Sequence, residues 1–249
     1  MNLRAGLFVI FLFAFTTASA QNWGGGVDDE NIHFGFTFQY TNSTYKVQRK
    51  GTWRERFRDP ETNVPLTDSL TGVYSKSSPG FGIGFVVNGR ISNHADIRLT
   101  PVLVFTDRLM QYDYEQPSRV NMPFNSVEQK VSATMVEFPL GIKIKSDRRN
   151  NFRAYMLYGA KYSMDIASKK KTDDSGQDYI YKLLKNKKSY LSAEAAFGMD
   201  LYFEYFKMSP EIKLSYSLNN ILNNDEPNPY NAPIDRLMLR HVTFSLFFE

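Results

Sequence analysis

From Ile32 to the last residue, apolar and polar side chains alternate with a period of two, in stretches separated by polar connections. The first stretch sets Phe34, Phe36, Phe38 and Tyr40 against His33, Gly35, Thr37 and Gln39. Gly80 to Arg90 sets Phe81, Ile83, Phe85 and Val87 against Gly80, Gly82, Gly84 and Val86. A third places Ile97, Leu99, Leu103 and Phe105 opposite Asp96, Arg98 and Thr100. The fourth is the most regular, with Val136, Phe138, Leu140, Ile142 and Ile144 opposite Glu137, Gly141, Lys143 and Lys145. Four more follow over Phe152 to Met164, Tyr190 to Tyr205, Met208 to Leu218 and Leu237 to Phe248. Period two over such lengths predicts strands rather than helices, and the reading gives eight.

The connections alternate in length. Ile91 to His94, Ser146 to Asn151 and Tyr205 to Lys207 are short. Asn42 to Pro79, Thr106 to Val131, Asp165 to Lys188 and Asn219 to Arg236 are long. Antiparallel strands with short turns on one side and long loops on the other are the pattern of outer-membrane barrels, with the turns periplasmic and the loops extracellular. An even strand count then puts both termini in the periplasm. The expected fold is therefore all-β: an eight-stranded antiparallel transmembrane β-barrel.

Period two does not say which face points outward, and a soluble lipocalin-like barrel would turn its apolar face inward. The glycines help to decide. Gly35, Gly82, Gly84, Gly141, Gly159 and Gly198 share parity with the charged residues, not with the Phe and Leu set. The interior of an eight-stranded barrel is just wide enough for side chains. Small residues among Arg98, Glu137, Lys143, Arg153, Lys161, Glu194, Asp200, Glu211 and Lys213 fit a cramped polar lumen, with those nine forming an ion-pair network that plugs it. Pro101 and Pro139 fall mid-strand, where each predicts a bulge or a lost ladder bond.

Composition agrees. The chain is 15% aromatic and 42% hydrophobic, yet its mean hydropathy is −0.40. That suits an apolar outer band, aromatic girdles and a polar interior; Tyr158, Tyr162, Tyr190, Tyr202, Tyr205, Phe206 and Tyr216 are the expected girdle residues. Arg4, the apolar run Leu7 to Phe15 and Ala18-Ser19-Ala20 form a secretory signal with its small-residue cleavage site. The organisation expected is a signal peptide at 1–20, a short periplasmic segment at 21–31 and the barrel at 32–249. With no cysteine, disulfides and thiolate metal sites are excluded.

Candidate chemistry is sparse. Acid–base and nucleophilic sites need a His or its equivalent beside a partner, and the three histidines, His33, His94 and His241, are scattered. His241 is expected to fill the lumen. No His or carboxylate cluster has metal-ligand spacing, so neither enzyme activity, cofactor nor small-molecule substrate is expected. A net charge of +4 gives no argument for nucleic acid. Basic residues crowd two loops: Lys46, Arg49, Lys50, Arg54, Arg56 and Arg58 in the first, and Lys169, Lys170, Lys171, Lys182, Lys185, Lys187 and Lys188 in the third. They read equally as a solvated loop face or as a candidate contact patch, Lys169, Lys170 and Lys171 foremost, for outer-membrane lipids including lipopolysaccharide or for an acidic partner.

Some segments are more specific than barrel pattern. Met135 to Lys145 (MVEFPLGIKIK), Tyr158 to Asp165 (YGAKYSMD), Phe206 to Leu222 (FKMSPEIKLSYSLNNIL) and the ending Ile234 to Glu249 resemble the PorT family of Bacteroidetes. The likeness covers most of the chain beyond Gly80. It implies an outer-membrane barrel required for type IX protein secretion, serving gliding motility in some members, with other secretion-system membrane proteins as partners. It brings no catalytic residues. The terminal Glu249 departs from general barrel practice, where a terminal aromatic is common. From the residues alone, a passive structural or adhesive barrel of the outer-membrane protein A type stays open.

Overall fold

The computed structural model describes residues 31–120, 122–167, 174 and 176–249. The expected signal peptide, most of the segment at 21–31, and Lys169, Lys170 and Lys171 lie outside them. Ten antiparallel strands form one sheet: β1 (Ile32–Arg49), β2 (Leu70–Lys76), β3 (Ser78–Ser92), β4 (Ala95–Leu99), β5 (Val102–Tyr114), β6 (Ser126–Lys145), β7 (Phe152–Asp165), β8 (Ser189–Tyr202), β9 (Lys207–Ser217) and β10 (Ile234–Phe248). β1 pairs with β10 on one side, from Phe36 opposite Phe248, and with β3 on the other, from Ile32 opposite Gly89. The sheet therefore closes on itself. The only helical turn among the described residues is a 3-10 turn at Tyr179–Tyr181.

Ten strands replace the expected eight because two long strands are interrupted. β4 and β5 are one course broken at Thr100–Pro101. Leu99 faces Leu140 and Val102 faces Glu137, so the register runs through without a bulge. Pro101 lacks a donor, but its carbonyl accepts from Phe85 N at 3.0 Å, and the Pro139 carbonyl accepts from Thr100 N at 3.0 Å. Each proline costs the ladder one donor. β2 and β3 are a second course, kinked at Ser77. Lys76 faces Leu109 while Gly80 faces Thr106, so here the register slips by one residue.

Below the kink, towards the short turns, the outer wall is apolar. Phe34, Phe85, Leu140, Ile142, Met156, Phe197, Ile212 and Phe244 are all exposed, Phe34 to 72% and Phe85 to 70%. On β7 the band runs from Met156 to Met164, close to the ~9–11 residues a tilted strand needs to cross a bilayer. The inward residues of the same strands are mostly polar or glycine, with Val86, Leu157 and Phe247 among the apolar exceptions. At Gly198 an added Cβ would sit 2.5 Å from the Tyr155 ring, and at Gly159 it would sit 2.3 Å from the Leu140 carbonyl oxygen. Side chains are absent there because a neighbour already occupies the space.

Above the kink the rule inverts. β1 extends to Arg49, β5 to Tyr114 and β6 begins at Ser126, so much of what was expected as loop is strand. The inward residues at this level, on β2 and β10 as well, are now mainly apolar: Tyr45, Val73, Met110, Tyr112, Val131, Ala133, Met135, Leu237 and Leu239 are buried, with Gln129 among the polar exceptions. Their outward residues are Thr44, Lys46, Asp107, Lys130 and Ser132. Loop residues Leu184, Ile221, Leu222 and Tyr230 complete this core from the top. The Tyr112 hydroxyl donates to Tyr230 O at 2.8 Å, and the Tyr230 hydroxyl to Ile180 O at 2.6 Å. Burial pushes the Tyr230 phenol up to about 12, which keeps it a donor.

Candidate functional site

The lumen below this core is filled by charge. Six acidic and six basic side chains are buried in it: Asp96, Glu137, Glu194, Asp200, Glu211 and Glu249 against Arg98, Lys143, Lys145, Lys161, Lys207 and Lys213. Near the short turns, Arg98 meets Glu211 at 3.0 Å and Asn88 Oδ1 at 2.8 Å, with Glu249 at 3.7 Å. Lys143 holds Asp200 at 2.7 Å, and Lys145 holds Asp96 at 2.6 Å. Glu249 also pairs with Lys207 and accepts from Asn88. Higher up, Lys161 bridges Glu137 at 2.9 Å and Glu194 at 3.3 Å. Lys213 joins the two layers, 3.7 Å from Glu194 and 3.5 Å from Glu211.

Strand parity places these groups. β4, β6, β7, β8 and β9 each direct every second residue inward, so their charged residues converge from adjacent strands in two layers. The Tyr155 hydroxyl donates to Glu211 at 2.9 Å; Tyr155 and Leu157 share the parity of Arg153 and point inward with it. Of the nine sequence candidates, eight are buried in this network. Arg153 is only half-buried, at the short-turn rim opposite Asp200. Asp96, Lys145, Lys207 and Glu249 lie on the same inward parity, which was the signal that finds them. Arg108 had no such signal, because it lay in an expected loop. It is buried, donates to the Tyr190 hydroxyl at 3.1 Å and stacks on that ring.

The pairing packs the barrel interior. Unpaired charge in a narrow interior is costly, and here opposite charges interlock, with Lys143 and Arg98 0% and 2% exposed. His241 sits inside this packing, with Nδ1 3.5 Å from Lys161 Nζ. His94 lies in a short turn against Asp147 at 2.9 Å. The histidines are not brought together. Among the described residues no three His, Asp or Glu side chains gather as a metal site.

Two expected girdle residues are corrected. Tyr190 and Tyr202 point inward and are buried, because each falls on the inward parity of β8. Tyr158, Tyr162, Tyr205 and Phe206 face out. Phe206 stacks on Phe203 at 4.8 Å, and both belong to the turn between β8 and β9. Of the third-loop lysines described, Lys182 pairs with Glu226 at 3.1 Å and Lys185 with Asp174. Their charge is partly neutralised at home.

The first loop carries a more open cationic feature. A cavity of about 670 Å³ is lined by Trp53, Arg56, Phe57, Arg58 and Arg119, with Arg54 stacked on Trp53 at 5.0 Å. Beneath it the buried Asp68 ties two loops together. It accepts from the Ser118 hydroxyl at 2.6 Å and from Arg119 N at 3.0 Å. Burial opposes its ionisation, but Ser118, the Arg119 N–H and Arg56 outweigh that and hold its carboxyl below the usual 3.8.

The family model described as "Outer membrane protein beta-barrel domain" matches residues 17–223. No curated protein sequence matches the chain. Among solved structures, the chain is similar to the outer membrane protein OprG from Pseudomonas aeruginosa, with a TM-score of 0.42, 11% identity and 87% and 92% of the two chains covered. It is also similar to Neisserial surface protein A, with a TM-score of 0.40, 8% identity and 88% and 98% coverage. A third is Ail of Yersinia pestis in complex with the heparin analogue sucrose octasulfate, with a TM-score of 0.36, 9% identity and 88% and 99% coverage.

Proposed function

The chain belongs to the outer-membrane β-barrel domain family, and from that premise we propose that it is a closed, non-catalytic barrel that works by contact and serves protein export by the type IX secretion system. The observation that supports the first half is the packed lumen, with twelve interlocked charges below and an apolar core above; in this reading the interior is neither a path nor a reaction site. What remains is the outer surface. The second half rests on the resemblance of the Met135–Lys145, Tyr158–Asp165 and Phe206–Leu222 segments to PorT. In this reading the short turns and both termini face the periplasm, the long loops face outward, and the partners are other membrane proteins of the secretion system.

The test is deletion. Loss of the protein blocks export of proteins bearing the type IX C-terminal signal while bulk outer-membrane composition stays near normal. Normal export in the deletion strain would end the accessory reading. A second reading, an adhesive barrel, is favoured by the cavity around Trp53, Arg56, Arg58 and Arg119, whose guanidinium groups suit an anionic partner. It predicts that the deletion strain exports normally but binds surfaces less.

A further inference from the structure

On the outer wall, β8, β9 and β10 leave a groove of about 410 Å³ at the long-loop edge of the apolar band. Ala193 and Ala195 form its floor, and Leu214 and Val242 its sides. Its size lies in the range of small-ligand sites, and its lining suits a hydrocarbon chain. At its upper rim stands Tyr216, directly opposite both Ala193 and Arg240 in the sheet. Two exposed cations share this ring. Lys46 Nζ lies 5.7 Å and the Arg240 guanidinium 5.8 Å from its centroid.

Like Arg54 and Arg58 of the first loop, these cations stand without a carboxylate partner among the described residues, but they share one aromatic ring beside an apolar groove. Six lumen cations sit against six carboxylates, and Lys182, Lys185, Lys76 and Lys130 outside it have carboxylates at hand. Lys46 and Arg240 have no carboxylate partner among the described residues, and they come from different strands, β1 and β10. Two unmatched positive charges therefore sit where an apolar groove meets the polar rim. The complement is an amphiphile with a hydrocarbon chain and a compact, strongly negative head. A phosphate monoester carries about −1.5 to −2 at neutral pH and takes both a guanidinium fork and an ammonium. A zwitterionic phosphodiester head supplies less net charge.

We propose that this is a binding site for one phosphate-monoester lipid of the lipid A type. One acyl chain lies along Ala195, Leu214 and Val242, and the phosphate sits between Lys46 and Arg240. The site rests on the family assignment and not on the secretion reading, and a test in detergent does not depend on which end faces the cell exterior.

Native mass spectrometry of the refolded full barrel tests it, with monophosphoryl lipid A offered against an equal concentration of phosphatidylethanolamine. The expected result is one retained lipid A per barrel, preferred over phosphatidylethanolamine and over dephosphorylated lipid A. The double variant Lys46→Gln/Arg240→Gln reduces that preference roughly five- to tenfold, the scale of two solvent-edge ion pairs. Ala195→Phe, which keeps both charges and fills the groove, reduces retention as well. Excess inorganic phosphate does not displace the lipid. Equal retention of the dephosphorylated lipid, an unchanged preference in the double variant, or displacement by free phosphate overturns the proposal. Full retention in Ala195→Phe overturns the placement of the chain. Heat-modifiable migration of each variant shows that it is folded.

Discussion

β6 alone passes through two regions that bury opposite things. Towards the short turns it shows Phe138, Leu140, Ile142 and Ile144 to the outside and buries Glu137, Lys143 and Lys145. Towards the long loops it shows Lys130 and Ser132 and buries Val131, Ala133 and Met135. The backbone is continuous, and only the surroundings change. In lipid the cheap outer surface is apolar; in water it is polar, and the apolar residues turn inward to form a small soluble-type core.

The ladder follows the same division. Within the apolar band β1 is paired on both sides, because a backbone group in lipid has no water to turn to. Above Ser78, β1 and β2 are no longer paired in register. That seam is held by side chains: Tyr45 N donates to Ser75 Oγ at 2.8 Å, and Arg49 Nη2 to Val73 O at 2.8 Å. An open seam is tolerable only where solvent reaches it.

The sharpest way to break the comparison is inside the lumen. Glu211→Leu leaves Arg98, Lys213 and the Tyr155 hydroxyl short of an acceptor and costs about 3–5 kcal/mol, read as a lower urea midpoint of the folded barrel. Adding Arg98→Met to that variant costs less than the sum of the two changes, since a buried pair removed together leaves less stranded charge. Additive losses would mean the pair is not coupled.

Next in size is a pair of arginine substitutions on β6. Leu140→Arg puts charge on the lipid face at ~2–4 kcal/mol and lowers the yield of assembled barrel. Ser132→Arg, outward on the same strand but above the boundary, changes stability by no more than about 0.5 kcal/mol. Equal sensitivity at the two positions would remove the boundary.

The smallest effect expected is pH dependence at the long-loop end. Asp68 has its folded pKa below its ordinary 3.8. Its contribution is therefore complete above about pH 4 and is lost as pH falls through the lower, folded value. Limited proteolysis in the 50–69 and 115–125 loops should rise below about pH 4 while the barrel's heat-modifiable migration is unchanged. Asp68→Asn should abolish that rise.

How much of this was legible follows from the same division. The expected strands lie mostly in the apolar band, where outward Phe and Leu alternate with inward Gly and charge; the last expected strand starts above it, at the buried Leu237 and Leu239. Where polarity inverts, the phase breaks: Phe105 points out, but Met110, Tyr112 and Tyr114 point in. A template that equates apolar with outward ends each strand too early. It therefore misplaced Arg108, Tyr45 and the start of β6 in loops. Pro101 was legible as an interruption, though only the register showed that it breaks the ladder without a bulge, whereas Pro139 sits inside an unbroken β6. Lumen membership was legible by parity, which also covers Asp96, Lys145 and Glu249. The cavity around Trp53 and the Lys46–Tyr216–Arg240 cluster were not legible, since each assembles residues distant in sequence.

The boundary itself is open to direct measurement. Single reporter labels at residues 128 to 144 of β6, in barrels refolded into bilayers, can be challenged with a lipid-borne quencher and with a water-borne one. The account predicts lipid quenching at Phe138, Leu140, Ile142 and Ile144, aqueous quenching at Glu128, Lys130 and Ser132, and protection from both at Val131, Ala133, Glu137 and Lys143. Lipid quenching that continues through Lys130, or aqueous quenching at Glu137 and Lys143, would contradict it.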